Sequence, residues 1–320
     1  MSPSAPPPAA GRPALQRVVV HAALRAGGLL LVRDAPAPPG APGAGPVLPW
    51  ALLAHGETPA AGAQRALAAA GAPPARTGVP VEVRDGVRRA VDGEVPGHPG
   101  GVDLHTVHVV LSAGPATPAA PAGPAAAAGA AAAGAGRWVP APAALPLVPD
   151  ALARVEPAEL ERLRAPADAA TPVVRQRLAA YAVVVSPARE ILLTRLSTLT
   201  PSPGRWTLPG GGVDHGEHPL TAAVREVHEE TGMDVDVERL VDIGSEHFTG
   251  RSPRGVLEDF HAVRVLVTAT ARQVREPRVL DVGGSTDLSS WVPLEEAERW
   301  GLVGVAQRGV QIALRGPATG

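Results

Sequence analysis

The chain of 320 residues contains no cysteine. Disulfides, Cys-ligated zinc, iron–sulfur clusters and a thiol nucleophile are therefore excluded together. Lysine and asparagine are absent as well, so all 29 residues of the Lys/Arg class are arginine. Aromatic residues make up only 2 %: five Trp, one Tyr and two Phe. Neither sign of charge dominates, with 29 basic against 31 acidic residues and a net charge of −2, which argues against a globally basic nucleic-acid binder. No run reaches the roughly 18 apolar residues of a spanning helix. The opening MSPSAPPPAAG has neither the basic nor the apolar region of a signal peptide. The expectation is a soluble cytoplasmic protein with no membrane partner and no specific nucleic-acid partner.

What the chain does have is hydrophobic content of 45 %, together with 36 Gly and 37 Pro. That is enough apolar material for a sizeable core, and the length suits two domains or one large one. The abundance of Ala, Gly, Pro and Arg fits a GC-rich coding bias, so periodicity and motifs weigh more than composition. Residues 1–14 read as a disordered tail, and Ala113–Gly136, almost wholly Ala, Pro and Gly, reads as a flexible insertion. A short helix is expected over Pro157–Arg164, within a connector spanning 156–172.

The two halves repeat. LLLVR at Leu29–Arg33 parallels ILLTR at Ile191–Arg195. Leu48-Pro49, His55-Gly56-Glu57, Pro59 and Arg65 return as Leu208-Pro209, His215-Gly216-Glu217, Pro219 and Arg225, all at one offset of 160 residues. Asp103-Leu104-His105 parallels Asp259-Phe260-His261, and Trp138-Val139-Pro140 parallels Trp291-Val292-Pro293. A period this long means two copies of one domain, not a solenoid. The copies are expected over 15–155 and 173–316.

In the second half, Leu178–Val185 and Ile191–Arg195 read as strands around a Ser186-Pro187 turn. Pro209–Gly212 reads as a glycine-rich loop. Pro219–Thr231 reads as a helix, with Pro in its first turn and Gly232 just past its end. Val235–Ile243 and His261–Ala269 are strand-like, and Ala306–Leu314 is a closing helix. Strands on both sides of helices give an α/β or α+β layered fold.

On the Pro219–Thr231 helix, Leu220, Ala223, Val224, Val227 and Thr231 share one face and are expected in the core. Glu226, Glu229 and Glu230 crowd an adjoining face, where they repel one another. Arg225 can pair with Glu229 four residues on. A divalent cation is the other neutraliser, and carboxylate oxygens suit Mg²⁺ or Mn²⁺. A bare E-x-x-E-E string is more often a solvated acidic face. Here a glycine-rich loop leads straight to the helix start, so backbone groups and carboxylates converge.

At residues 211–233 the chain resembles the Nudix hydrolase family, whose box is G-x5-E-x7-R-E-U-x-E-E-x-G-U with U bulky and aliphatic. Gly211, Glu217, Arg225, Glu226, Val227, Glu229, Glu230, Gly232 and Met233 fill its fixed positions. The resemblance implies an α/β/α sandwich with a mixed sheet over about 173–316. It also implies Mg²⁺-dependent (or Mn²⁺-dependent) attack of water on a phosphorus of a nucleoside diphosphate linked to another moiety, a small-molecule substrate. It further implies that Glu226, Glu229 and Glu230 hold the metal with the Gly210 carbonyl, that Glu217 supports them and that Arg225 orients them. An isoprenoid diphosphate isomerase shares this fold, but its cysteine chemistry is impossible here.

The first half keeps Glu57 and Arg65 but has Ala66, Ala69 and Ala70 in place of the glutamates. It resembles a degenerate Nudix copy with no metal site, so the fold expected is two such sandwiches in tandem. An intramolecular pseudo-dimer of the copies is one way they could associate. For substrate contacts, Trp206 could stack on a base or pack beneath a turn, and Arg251 and Arg254 could hold phosphate or lie in a solvated loop. Glu246, Glu258 and Asp259 lie close enough after the box to be considered as well. The alternative to a hydrolase is a non-catalytic nucleotide sensor on the same fold.

Overall fold

The computed structural model describes residues 13–34, 45–73, 75–90, 101–115, 136–147, 157–163, 168, 170–252 and 255–316. The expected tail and insertion therefore fall largely outside the described residues, at 1–12 and 116–135. Two compact units divide the chain, Met1–Arg164 and Ala165–Gly320.

The first unit contains β1 (Ala14–Ala26), β2 (Leu29–Asp34), β3 (Pro46–Val47), β4 (Trp50–Leu52), α1 (Pro59–Ala69), β5 (Ala75–Ala90), β6 (Val102–Pro115), β7 (Arg137–Pro140) and α2 (Pro157–Leu160). Ala14, placed in the tail by its composition, already pairs with Asp103. β1 lies parallel to β6 and antiparallel to β4, and β5 closes the far side of β6. β2 pairs with β3 and β7.

The segment read as a connector is partly built into this unit. Leu160 and Leu163 pack on Leu15, Val102 and Leu104. Glu159 meets Arg17 at 3.6 Å, both 1 % exposed, and the Arg162 guanidinium donates to the Gln16 carbonyl at 3.0 Å.

The second unit contains β8 (Val173–Val184), β9 (Glu190–Leu196), β10 (Trp206–Thr207), β11 (Gly210–Gly212), α3 (Pro219–Thr231), β12 (Val235–Arg251), β13 (Leu257–Ala271), β14 (Thr286–Pro293) and α4 (Gly304–Arg315). One sheet runs β11-β8-β13-β12 and the other β10-β9-β14, so this unit is a mixed α+β fold with one parallel pair, β8 with β13. The pairing scheme parallels that of the first unit, except that β1 pairs with β2 to join one sheet, whereas β8 and β9 meet only through the single bridge Val185–Ile191 and leave two sheets. β8 stands where β1 stands, β11 where β4, β13 where β6, and β9 where β2. The registers agree too. Gln16 lies beside His105 and Gln176 beside His261, each joined side chain to side chain at 3.1 and 3.4 Å.

α3 spans Pro219–Thr231, as its end signals require. The His218 imidazole accepts from the Leu220 N–H at its start, and Gly232 adopts φ 68° at its end. Its buried face is rotated from the one expected. Ala222 and Glu230 are buried, whereas Leu220 and Val224 are only half-buried. Gly210–Gly212 is also not a loop but a short strand against Tyr181–Ala179. Only glycine fits there: a Cβ at Gly210, whose φ is 151°, would lie 2.6 Å from the Tyr181 Cα.

Among the described residues no helix is long and apolar enough to cross a membrane.

Candidate active site

The site begins with a clasp at the foot of α3. Arg225 donates from Nε to Glu217 Oε1 and from Nη2 to Glu217 Oε2, both at 2.8 Å. The same Nη2 reaches the Gly212 carbonyl at 3.0 Å, and Glu217 Oε2 accepts from the Asp214 N–H at 3.0 Å. Strand β11, the turn after it and the helix are thereby tied at one guanidinium. Its remaining nitrogen, Nη1, donates to Glu226 at 2.9 Å and Glu229 at 3.1 Å. The hydrogen bonds to Glu217 raise the Arg225 pKa well above its usual value, aided by Glu226. This fork geometry needs arginine, since an ammonium with three donors cannot serve five acceptor atoms.

Glu230 turns inward. Its Oε2 accepts from the Gly210 N–H at 3.0 Å, and the Thr194 and Thr286 hydroxyls donate to its carboxylate. Burial pushes its pKa up to about 7 against these hydrogen bonds, with Glu226 adding repulsion. Burial also raises the Glu226 pKa, partly opposed by Arg225. Glu229 is more open, with a side chain 42 % exposed. All three glutamates line one cleft of about 820 Å³ together with Gly210, Gly211 and Gly212. Gly211 gives the Glu226 carboxylate its room: a Cβ there would sit 2.5 Å from Glu226 Oε1.

Glu226 and Glu229 share Arg225, Glu230 is held by neutral donors, and burial penalises the charge of Glu226 and Glu230. Their hard oxygen donors, beside the backbone of Gly210, fit a divalent cation such as Mg²⁺ or Mn²⁺.

The other expected contacts fare differently. Trp206 is 9 % exposed and meets Trp300 edge-on at 4.9 Å within the core. It packs beneath the turn and is absent from the cleft wall. Arg251 is exposed and donates to the Gly255 carbonyl of its own hairpin, away from the cleft lining. Arg254 lies outside the described residues. Glu246 does line the cleft, paired with Arg264 at 2.7 Å. Glu258 and Asp259 instead pair with Arg175 and His247.

Sequence reasoning missed the loop residues Arg205 and Asp281 of the cleft and its strand residues Arg177, Tyr181, Phe248, Phe260 and Arg264. The signal of the strand residues is the two-residue alternation of three strands, which becomes readable only once β8, β13 and β12 are known to be neighbours.

In the first unit the clasp recurs without the acids. Arg65 donates to Glu57 at 3.0 and 2.7 Å and to the Leu52 carbonyl at 2.7 Å, while Glu57 accepts from the Ala54 N–H at 2.9 Å. Each of these residues lies 160 positions before its counterpart. Ala66 and Ala70 are buried where Glu226 and Glu230 would stand.

Residues 175–309 match the family model of the NUDIX domain. An RNA pyrophosphohydrolase of Agrobacterium fabrum is 66 % identical over 32 residues, covering 10 % of this chain and 19 % of that protein. An RNA pyrophosphohydrolase of Mesorhizobium japonicum is 35 % identical over 108 residues, covering 28 % of this chain and 58 % of that protein. The chain thus spans about a fifth of the first relative and somewhat over half of the second. Among solved structures, the MutT protein from Methanosarcina mazei is 21 % identical, with a TM-score of 0.34, over 44 % of this chain and 94 % of that one. A NUDIX domain is therefore found in the second unit.

Proposed function

We propose that the second unit hydrolyses a pyrophosphate bond in a nucleoside diphosphate linked to another moiety, with Mg²⁺ or Mn²⁺ as cofactor. The observation that carries this reading is the convergence of Glu226, Glu229 and Glu230 on one cleft beside the Gly210–Gly212 backbone. The relatives' printed name, RNA pyrophosphohydrolase, supports the bond type.

Glu226, Glu229 and Glu230 would hold the cation with the Gly210 carbonyl. Bound there, it would neutralise the diphosphate and lower the pKa of an attacking water. Arg225 keeps Glu226 and Glu229 turned to the cleft, and Glu217 fixes Arg225. Gly211 leaves the Glu226 carboxylate its space. Arg177, Arg205 and Arg264 supply positive charge along the cleft for an anionic substrate.

We also read the first unit as a degenerate copy of the same domain. Support comes from the shared strand pairing, the shared clasp and the constant offset of 160 residues. On this reading it has no metal site, because Ala66, Ala69 and Ala70 bring no oxygen.

The test is a screen of nucleoside triphosphates, ADP-ribose and related diphosphates on the full chain, with Mg²⁺ and with chelator. Metal-dependent release of a phosphorylated product supports the hydrolase. Binding without turnover of any of these compounds would replace it with a nucleotide sensor.

A further inference from the structure

The chain has two phenylalanines among its 320 residues, and they stand side by side on the floor of this cleft. Phe248 on β12 and Phe260 on β13 are direct cross-strand partners, with ring centroids 5.4 Å apart and planes 35° apart. Phe248 is 45 % exposed. A cross-strand aromatic pair stabilises a sheet modestly, but that role does not require an open ring face inside a cleft.

The surroundings give the face a direction. Alternate residues of each strand point into the cleft: Phe260, Ala262 and Arg264 on β13, Glu246 and Phe248 on β12, and Arg177, Ala179 and Tyr181 on β8. In register, Arg177 stands beside Ala262, which stands beside Glu246. Ala179 stands beside Arg264, one row nearer Gly212. Moving away from the glutamates, the floor therefore offers two arginines and then two phenyl rings. Arg264 and Phe260 are four residues apart on one strand, about 13 Å, which is the scale of a nucleoside diphosphate. Glu246 holds Arg264 at 2.7 Å, and the small Ala262 and Ala179 leave the space above them clear.

The first unit supplies a contrast. Leu104 precedes His105 as Phe260 precedes His261, and its register partner is Arg88 where β12 has Phe248. Leu104 is fully buried beneath Leu160 and Leu163 of its own unit. Arg17, at the place of Arg177, is likewise buried against Glu159. There the chain itself supplies an apolar cover and a carboxylate. In the second unit the same positions are an open aromatic pair and an exposed arginine.

We infer that Phe248 and Phe260 seat the nucleobase of the ligand by ring stacking, with its phosphates running over Arg177 and Arg264 toward Glu226, Glu229 and Glu230. This rests on the nucleotide reading proposed above and names the part of the cleft that recognises the nucleoside end. The recognition is stacking on a π face, which every base offers, so discrimination among bases is weak.

The experiment uses the full chain in chelator, so that binding is read without turnover. ADP, GDP, CDP and UDP are titrated by calorimetry and by saturation-transfer NMR, with inorganic pyrophosphate as the ringless probe. Base protons should receive saturation in the wild type. Phe248→Ala should weaken all four nucleotides by about 5- to 100-fold while leaving pyrophosphate binding within error and lowering the melting temperature by no more than a few degrees. Phe248→Trp should restore the affinity. In Mg²⁺, the same change should raise KM for a nucleotide substrate with kcat held within a few-fold. Unchanged nucleotide affinity in Phe248→Ala, or no nucleotide binding at millimolar concentration either in chelator or in Mg²⁺, overturns the inference. Stacking lost in Phe248→Ala in a protein that hydrolyses nothing would uphold the ring seat and remove only the hydrolase.

Discussion

The backbone N–H of Gly210 points at Glu230 Oε2 across 3.0 Å, so a strand of three glycines and the buried end of a helix meet at one carboxylate. Burial nevertheless lifts the pKa of that carboxylate from 4.5 to about 7. A carboxyl with a folded pKa above its unfolded value binds its proton more tightly in the native state. Its contribution to stability is present below pH 4.5 and is lost as pH rises through about 7. In chelator, the unfolding free energy of the wild type should therefore fall by about 3 kcal/mol across this window. Glu230→Gln, which cannot titrate, should show a flatter profile. Urea titrations of both proteins at pH 5 and pH 8 check this, and parallel profiles would contradict it.

Metal dependence is the second expectation. Turnover should stop in chelator and return with Mg²⁺ or Mn²⁺. Glu226→Gln and Glu230→Gln should each lower kcat by about 100-fold or more, since a charged oxygen donor becomes a neutral amide. Full turnover in metal-free buffer would remove the assignment.

The two clasps allow a paired test. Arg65 is half exposed, and Arg65→Ala should cost about 1 kcal/mol or less of stability with hydrolysis unaffected. Arg225→Ala removes the cation shared by three glutamates and should lower kcat at least 100-fold. Equal losses of activity in both variants would mean that the first unit takes part in the reaction.

Glycine substitution separates space from conformation. Gly210→Ala, at φ 151° with its new methyl against the Tyr181 backbone, should abolish both folding of the strand and turnover. Gly244→Ala, where the added carbon meets nothing within 4 Å, should preserve both. Circular dichroism and a turnover assay on the two proteins decide the matter.

Local signals in the sequence located α3 to the residue, because a proline start and a glycine end are read within one turn. The Arg225–Glu229 pair was legible for the same reason, being four residues apart on one helix, whereas the bidentate Arg225–Glu217 clasp, which crosses a turn, was not read. The glycine run looked like a loop because its pairing with β8 depends on residues about 30 positions earlier. The inward turn of Glu230 was equally hidden, since Thr286 lies 56 residues away. Trp206 gave no hint of its partner Trp300. The arginines and phenylalanines of the cleft floor belong to three strands whose adjacency the sequence does not announce.

The clasp stands in both units, while the acid cluster stands in one. The two parts of the box therefore answer separate diagnostic questions. Glutamate and arginine at their spacing report that a strand, a turn and a helix are fastened together, with or without glycine in the strand. The three glutamates Glu226, Glu229 and Glu230 are the part found in the second unit alone. A sequence search that scores the box as one word will pass over a segment such as Leu52–Ala70, which keeps the clasp and lacks those three acids. A search that scores the fastening alone will not tell such a segment from one that carries the acids.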